Sequence, residues 1–426
     1  MATSLASMIL SDNGAEVVLV EPPGGDPFRS RPAWRMWSRG TKSIVLDLAR
    51  QEDRKMARAL VEGADVVIEG WRPGEGEQLG LDFTTTAATN PGLVHCALSA
   101  MGTRGPYASI PTYDGLVEAR SGRFVDLGIA FGRAEPAFRS RPNSSYAAAQ
   151  GIVQGVSAAL LARERTGQGQ QISTNLYQGL LAYDFGSALR RQNELGLLDP
   201  PLPDRSGYFL PFLPYLPVRT KDGVWVQITN NTGRLFRAWM SVLGLDYIYE
   251  DDRLKGAPSE FPNQETKIEL AKLMLAQAAT RTFDEWMDIF IRDGLTGDRY
   301  LTTQQAMDHP QILHNNLVVD VHDAEVGPTR QLGLLVAFSK TPGTVERGAP
   351  QLDEHRGTVA PRPAPAARER RAPKPGGPLA GMLLLDFASW LAGPFGTSLM
   401  ADLGARVIKI EPPIGDLSRA GLGGRG

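Results

Sequence analysis

The chain has 426 residues, of which 42% are hydrophobic, and a formal net charge of −2. This length and composition are enough for two or three domains with a sizeable core, and the small charge argues against nucleic acid as the main partner. No apolar stretch is long enough to cross a membrane. The single cysteine, Cys96, lies in an apolar run and favours a reducing, cytoplasmic location, and the five histidines show no metal-type spacing.

The first 200 residues alternate between helix-like and strand-like patterns. A helix ends near Ser11, and short apolar runs that predict strands follow it at 17–20, 43–48, 65–69, 93–99 and 171–175. A long apolar stretch with small residues, 146–162, predicts a helix buried against these strands. Strands separated by helices are typical of a parallel, doubly wound α/β sheet, so we predict a Rossmann-like large domain over 1–200.

A mixed α+β pattern begins near residue 205 and predicts a smaller domain over 205–330. It contains a hairpin around Asp222 and Gly223, helices at 232–243, 263–280 and 282–293, and a second hairpin at 316–337. Residues 331–358 are predicted to return to the large domain. The proline-rich, basic segment 359–378 is predicted to be an extended linker.

Residues 10–29 recur at 400–419 without a gap, at an offset of 390 residues, and ten of the twenty aligned pairs are identical. A repeat at this spacing is too long for a solenoid, and it indicates one module followed by the start of a second module at 379–426. The second copy follows an apolar run, 383–387, that predicts a strand, whereas the first copy has no such run before its helix.

We therefore expect the first strand of the large domain to be missing, either because the sequence is a fragment or because its start is placed too late. A natural chain with a trimmed N-terminus is the alternative. Residues 379–400 are a candidate to fill the empty strand position, since they are the second copy of the missing strand and helix.

Several motifs occur in the order found in one known family. They include RGTKSIVLDL at 39–48, DVVIEGWRPG at 65–74, ALLARERTGQGQQI at 159–172 and LDEHRGTV at 352–359. Together they resemble the family III CoA-transferases, which include formyl-CoA and carnitine-CoA transferases and α-methylacyl-CoA racemases. The resemblance covers 6–358 and resumes at 377–426. It implies a Rossmann-like domain with a smaller inserted domain, in chains that interlock as dimers or in modules that pair within one chain.

The resemblance also implies coenzyme A, or acyl-CoA, as the ligand and the transfer of CoA to a small carboxylic acid, without a metal. The phosphates of CoA require basic residues near strand ends or helix N-termini. Arg29 and Arg72 each follow a predicted parallel strand, at the edge where open α/β sheets bind ligands. Their alternative role is in surface ion pairs. No G-x-G-x-x-G follows any strand, so a nicotinamide cofactor fits less well.

The position of the family's nucleophile carries no carboxylate here. In the active transferases that this chain resembles, an aspartate attacks the acyl-CoA thioester. Counting back from Gly155 places that aspartate at Ser144 or Ser145, and no acidic residue lies within 143–162. A serine cannot form the same anhydride, and the two serines are also typical of a helix N-cap. The catalytic residue is therefore unknown from the sequence.

Asp114 and Asp126 are the nearest preceding carboxylates, but neither matches the position of the motif. The main prediction is a CoA-transferase, and this module alone is expected to be inactive. The alternatives are a catalytically silent CoA-binding or structural half and an acyl-CoA racemase or isomerase. Racemisation requires an acid–base pair, which His95 on a predicted buried strand does not supply.

Overall fold

The computed structural model describes residues 1–130, 133, 135–183, 196, 211–365, 368–373, 375–416 and 419. The chain divides into two compact units. The first unit comprises 1–123, 139–202 and 316–426, and the second comprises 124–138 and 203–315. None of the helices in the described residues has the length and apolar character needed to cross a membrane.

The N-terminal part of the chain alternates helices and strands, as the sequence predicts. Up to residue 182 the described helices are α1 (Ala2–Asp12), α2 (Pro32–Trp37), α3 (Gln51–Glu62), α4 (Glu75–Leu79), α5 (Phe83–Ala87), α6 (Asp114–Arg120), α7 (Arg123–Ala130), α8 (Asn143–Thr166) and α9 (Leu176–Ala182). The strands between them are β1 (Val18–Glu21), β2 (Lys42–Val45), β3 (Val66–Glu69), β4 (Val94–Ser99) and β5 (Gln170–Asn175). All five predicted strands are present, so the α/β class with parallel strands is confirmed.

These strands form two parallel sheets, one of β1 and β2 and one in the order β3-β4-β5. Within the described residues, β1 and β3 each pair on one side only. In a doubly wound fold the first strand lies between the second and the fourth. If β1 is the second strand of such a fold and β3 the fourth, the open position between them is that of the first strand.

Helix α8 forms the main cover of the β3-β4-β5 sheet. Its Ile152 and Val156 are fully buried and share one apolar core with Leu98 of β4. Helix α1 joins the same core through Ala2 and Ala6. A long apolar helix covers this sheet because strands that are buried on both faces need such a layer.

The second unit is a separate α+β core. Its described helices are α10 (Gly233–Val242), α11 (Gln264–Ala278), α12 (Phe283–Asp293), α13 (Thr303–Met307) and α14 (Pro310–His314), and its strands are β6 (Pro217–Arg219), β7 (Trp225–Ile228) and β8 (Gly297–Arg299). The three strands are antiparallel, in the order β6-β7-β8. In the centre of the core Trp286 stacks on Phe290, and Trp239 meets both rings edge-on.

The second predicted hairpin lies in the first unit, so the predicted domain boundary at residue 330 differs from the observed return at Asn316. Its strands are β9 (Val318–Asp323) and β10 (Gly327–Leu332), which pair antiparallel. Arg35 of α2 contacts Asp323 at 2.7 Å, and Arg39 donates to the carbonyl of Leu332. These contacts, which involve buried charges, hold the hairpin on the first unit. The alternation of apolar and polar residues within the hairpin does not predict them.

The second copy of the repeat folds as a strand, a helix and a strand, as predicted: β11 (Leu383–Asp386), α15 (Ala392–Asp402) and β12 (Arg406–Lys409). β11 pairs in parallel with β12 and, among the strands that the structure describes, with none of the first copy. The expectation that 379–400 fills the open position beside β1 is therefore wrong. β12 is a partner only about 20 residues away, and closing this short loop costs less entropy than reaching across the linker.

The linker 359–378 has no helix or strand in its described residues. Arg362 contacts Asp65 at 3.3 Å, and Arg368 contacts Glu164 at 2.6 Å. The amide of Arg371 donates to the carbonyl of Thr166. The linker is thus extended and runs along the first unit.

Candidate functional site

Arg29 lies in a buried ion pair. Its Nε and Nη2 donate to the two carboxylate oxygens of Glu21 at 2.7 and 2.6 Å, and its guanidinium stacks over Trp34. Burial alone would raise the pKa of Glu21, but the hydrogen bonds from Arg29 and Ser43 outweigh it and lower that pKa. The same glutamate accepts the amide of Asp26, so the pair closes the turn after β1.

The repeat builds this turn a second time. Arg419 contacts Glu411 through the same two nitrogens at 2.7 and 2.6 Å, and the amide of Asp416 donates to Glu411. The hydrogen bonds from Arg419 lower the pKa of Glu411 to about 2. Three of the identical residues in the repeat are therefore explained by one local structure. Arg29 is thus in an ion pair, as its alternative role predicted, but the pair is buried and not on the surface. Its contact with CoA stays a prediction.

Arg72 lies in the loop after β3 and is exposed. Its amide donates to the carboxylate of Glu75 at 2.9 Å, which fixes the backbone at the start of α4. Within the described residues its guanidinium has no ion-pair partner. Of the two predicted phosphate ligands, Arg72 is the one whose charge is available to a ligand.

Ser144 and Ser145, the two serines predicted to stand at the position of the nucleophile, are buried in the first turn of α8. The carboxylate of Asp114 accepts hydrogen bonds from the Oγ of Ser144 at 2.6 Å and from the amide and Oγ of Ser145 at 2.7 and 2.8 Å. The predicted N-cap role of the serines is wrong, because the N-cap is Pro142. Asp114, at the first position of α6, instead satisfies an amide of the helix that has no partner within the helix.

Glu118, one turn after Asp114, faces the same helix start. Its carboxylate accepts the amide of Ser144 at 3.4 Å, and burial raises its pKa. Asp114 is partly exposed, whereas Glu118 is buried. Sequence analysis considered Asp114 only as a preceding carboxylate and did not single out Glu118, because contacts between α6 and α8 depend on the tertiary fold.

Asp126 lies on α7 in the second unit, whereas α6 and α8 belong to the first unit. Asp114 and Glu118 are the carboxylates that contact Ser144 or Ser145 among the residues that the structure describes.

A buried Glu69–His95 pair is a feature that sequence reasoning missed. The Oε1 of Glu69 lies 4.0 Å from the Nε2 of His95, and burial raises the pKa of Glu69 to about 7. His95 is 2% exposed, burial lowers its pKa, and neither of its ring nitrogens has a hydrogen-bond partner in the described part of the chain. Such an enclosed imidazole cannot reach the α-carbon of a bulky thioester, which disfavours the racemase alternative.

Cys96 is buried in the core of the first unit, as predicted, and burial raises the pKa of its thiol to about 12. It is therefore protonated at neutral pH and is a poor nucleophile. No cluster of three or more potential metal ligands occurs in the described ranges.

The comparisons with known proteins agree on one family. The sequence profile of CoA-transferase family III matches residues 1–356 and 379–423. The succinyl-CoA–D-citramalate CoA-transferase of Chloroflexus aurantiacus is 29% identical over 373 residues, which cover 83% of this chain and 89% of that protein.

A solved structure and a longer relative add to this match. The crystal structure of Rv3272 from Mycobacterium tuberculosis (orthorhombic form) is similar with a TM-score of 0.68 and 25% identity, over 84% of this chain and 94% of that one. The CoA-transferase/lyase DddD of a Marinomonas species is 26% identical over 467 residues. That alignment covers 97% of this chain but 55% of the relative.

Proposed function

The chain belongs to CoA-transferase family III, and we propose on this basis that it moves CoA between an acyl-CoA and a small carboxylic acid. The family match along nearly the whole chain carries this proposal. The relatives with this activity in their names support it, and they align over most of their own length.

CoA transfer by this module requires a carboxylate next to the start of α8. We assign that role to Asp114, the first residue of α6, which contacts the first turn of α8. Asp114 is partly exposed and contacts both serines. Its negative charge is favoured by the N-terminus of the 24-residue helix α8. The two serine hydroxyls hold the carboxylate in one orientation by donating to different oxygens.

The steps balance without an added reactant. A carboxylate oxygen of Asp114 attacks the thioester carbonyl, the C–S bond breaks, and CoA leaves as the thiolate. The thiolate then attacks the Asp114 carbonyl of the mixed anhydride, which releases the donor acid as its carboxylate and leaves an aspartyl–CoA thioester. The acceptor carboxylate reverses the two steps and regenerates Asp114.

Arg72 is proposed as a ligand of a CoA phosphate. It follows β3 at the carboxyl edge of the sheet, where ligands bind in this class of fold. A guanidinium there supplies a charge-assisted hydrogen bond to phosphate. Arg29 is the second proposed ligand. To bind a phosphate, its guanidinium would have to leave Glu21 or contact both Glu21 and the phosphate.

A catalytically silent half is the second candidate function, and one observation favours it. Three hydrogen bonds engage Asp114, which lowers its nucleophilicity, and the sequence predicts serines at the position of the nucleophile. In this form the chain binds CoA and supports an active partner module. The internal repeat, the two separate stretches of the family match and the alignment with DddD support a tandem arrangement.

Trapping with hydroxylamine separates the two candidates. The chain is incubated with succinyl-CoA, treated with hydroxylamine and analysed by peptide mass spectrometry. A transferase gives a hydroxamate at Asp114, and Asp114→Asn loses both the adduct and CoA exchange. The matched control is Asp126→Asn, which lies in the other unit and should trap like the unchanged chain.

CoA binding without any adduct supports the silent half. In that case Ser145→Asp, or Ser144→Asp since the alignment is uncertain by one residue, should restore trapping at the new carboxylate. An adduct at a residue other than Asp114 would refute the assignment but keep the transferase.

A further inference from the structure

Glu69 ends β3, three residues before the exposed Arg72. We propose that Glu69 is a positioning residue for the loop that carries Arg72, and that CoA binds there together with a proton, which Glu69 takes up and holds towards His95. This proposal rests on the assignment of Arg72 as a ligand of a CoA phosphate. It adds that the affinity for CoA depends on the protonation of a buried group.

One carboxylate oxygen of Glu69 fixes the backbone of the loop. Its Oε2 accepts the amide of Trp71 at 2.6 Å. The ring of Trp71 in turn packs on Gly76 of α4, where an added Cβ would lie 3.1 Å from the ring. The next amide, that of Arg72, donates to Glu75 at 2.9 Å. Two carboxylates therefore set the direction in which the chain enters the loop.

The other oxygen of Glu69 faces a buried imidazole on the neighbouring strand. Oε1 lies 4.0 Å from the Nε2 of His95, which is 2% exposed. Neither ring nitrogen has a hydrogen-bond partner among the residues that the structure describes. A buried polar group without a partner is unfavourable. A protonated Glu69 supplies the missing donor after a movement of about 1 Å, while Oε2 still accepts the amide of Trp71.

The proton belongs to Glu69 and not to His95. Burial lowers the pKa of His95, and the carboxylate of Asp82, at the N-cap of α5, offsets this only in part. The ring is therefore neutral near pH 7 and offers a lone pair. A neutral carboxyl group that donates to a neutral imidazole leaves no charge in this buried place.

The remaining groups around Glu69 also favour its protonated form. Burial raises its pKa to about 7 against the opposing hydrogen bond from Trp71, and the negative charges of Glu77 and Glu75 on α4 add to the rise. The thiol of Cys96, on β4, is protonated as well and supplies no charge. Glu69 thus changes its charge in the neutral pH range.

The charges of the loop connect this proton to an anionic ligand. Residues 69–77 contain one cation, Arg72, and three carboxylates, those of Glu69, Glu75 and Glu77. Glu77 is exposed and Glu75 partly exposed, so water screens their repulsion of a phosphate. Glu69 is buried, and its charge is screened less. Protonation of Glu69 therefore removes the carboxylate charge that most opposes a phosphate at Arg72.

The sign of the coupling follows from these charges. A bound phosphate disfavours ionised Glu69, so the pKa of Glu69 is higher in the complex than the value of about 7 in the free chain. Binding then takes up a proton, and the affinity falls as the pH rises through 7. If the complex raises this pKa by one unit, the affinity falls about tenfold between pH 6 and pH 9, and about half a proton is taken up near pH 7.5.

Calorimetry on the full chain measures the coupling. CoA is titrated at pH 7.5 in two buffers of different ionisation enthalpy, which gives the number of protons taken up, and the dissociation constant is followed from pH 6 to pH 9. Glu69→Gln carries a neutral amide with the shape of the protonated carboxyl group. This variant should lose the uptake and bind CoA about tenfold more tightly than the unchanged chain at pH 9.

Glu77→Gln is the matched control, because it removes a carboxylate from the same segment that is exposed instead of buried. It should change the affinity by a similar factor at every pH and keep the proton uptake. The phosphates of CoA titrate alike with all three proteins, so the differences between the proteins isolate Glu69.

Nitrogen-15 NMR of the histidine-labelled chain tests the pair without a ligand. The chain has five histidines, and a spectrum of His95→Leu identifies the signals of His95. These signals should shift with a midpoint near pH 7 while the ring stays neutral, because the proton arrives on Glu69. The shift should be absent in Glu69→Gln.

The outcomes separate this inference from the proposed transfer. Equal proton uptake by the unchanged chain and Glu69→Gln, His95 signals that do not depend on Glu69, or a positively charged His95 ring at pH 7 would overturn the inference and leave the transferase untouched. The absence of any CoA binding would overturn both the ligand assignment and the coupling. Coupled uptake without a hydroxamate at Asp114 would support the inference and refute the transfer step.

Discussion

At the scale of single residues, the repeat forms the same Glu–Arg ion pair twice, once buried and once exposed. Glu21 is 4% exposed beside a largely buried Arg29, whereas Arg419 is 63% exposed beside Glu411. The contacts are the same, but only the first copy is desolvated. Removing one partner of a buried pair leaves a charge without compensation, whereas an exposed pair is screened by water.

Arg29→Ala should therefore lower the free energy of unfolding by about 3 kcal/mol. Arg419→Ala is the matched control and should change it little. Urea unfolding without CoA measures both. Equal effects of the two substitutions would contradict the account of the first pair as buried and structural.

Glu69 makes stability depend on pH. Burial raises its pKa from 4.5 to about 7, with Glu77 and Glu75 adding repulsion. The folded state thus binds the proton more tightly than the unfolded state, so stability is highest below about pH 4.5 and falls as the pH rises to about 7. Above pH 7 the loss is complete, on the order of 3 kcal/mol for a shift of this size.

Glu69→Gln should remove this part of the pH dependence and make the protein more stable than the unchanged chain at pH 8. Glu77→Gln, an exposed neighbour, serves as the control and should keep the dependence. Urea unfolding at pH 5 and pH 8 gives the comparison. An unchanged slope in Glu69→Gln would show that another group titrates in this range.

At the scale of elements, the packing of α9 on α8 positions the serine pair. A Cβ added at Gly179 of α9 would lie 2.7 Å from the amide nitrogen of Ala148, in the second turn of α8. The nearest atoms belong to the backbone of α8, which cannot move aside as the end of a flexible side chain can. The glycine therefore permits the close approach that holds the start of α8 in place.

Gly179→Ala should destabilise the fold by about 1–3 kcal/mol, the usual cost of overpacking, although alanine favours helices. It should also weaken trapping at Asp114, because the start of α8 moves. Gly396→Ala on α15 has no atom within 4 Å of the new Cβ and should be neutral or stabilising by up to about 1 kcal/mol. Thermal unfolding of the two variants measures the difference. Equal melting temperatures would contradict the role of Gly179 in the close packing of α9 on α8.

The elements themselves could be predicted from the sequence, because alternating apolar runs such as those of β3 and β4 encode strands locally. Three helices of the second unit, α10, α11 and α12, could be predicted to within a few residues for the same reason, whereas the short helices α13 and α14 were missed. The placement of the β9–β10 hairpin could not be predicted, since it depends on contacts of Arg35 and Arg39 some 290 residues away. The same holds for Asp114, whose contact with the serines is tertiary.

At the scale of the whole molecule, the parallel strands β1 to β5 form two sheets, and β1 and β3 each pair on one side only within the described residues. Arg72 follows β3, on the side where a ligand is expected. The organisation of the sheet and the proposed CoA site are therefore linked through β3.

CoA should raise the melting temperature of the chain by mass action. Arg72→Ala should weaken CoA binding by about 1–3 kcal/mol, the range for a hydrogen bond to a charged group, without altering the melt of the free protein. Arg58→Ala is a control, since this arginine donates to the carbonyl of Gly80 at the end of α4. Calorimetry that shows no binding at millimolar CoA would argue against the ligand assignment.

The central claim is that this chain transfers CoA through a carboxylate at the start of α8. The most direct test is peptide mass spectrometry after incubation with succinyl-CoA and hydroxylamine. The account predicts a hydroxamate at Asp114 in the unchanged chain and none in Asp114→Asn. A chain that binds CoA but carries no hydroxamate at any aspartate or glutamate would contradict it.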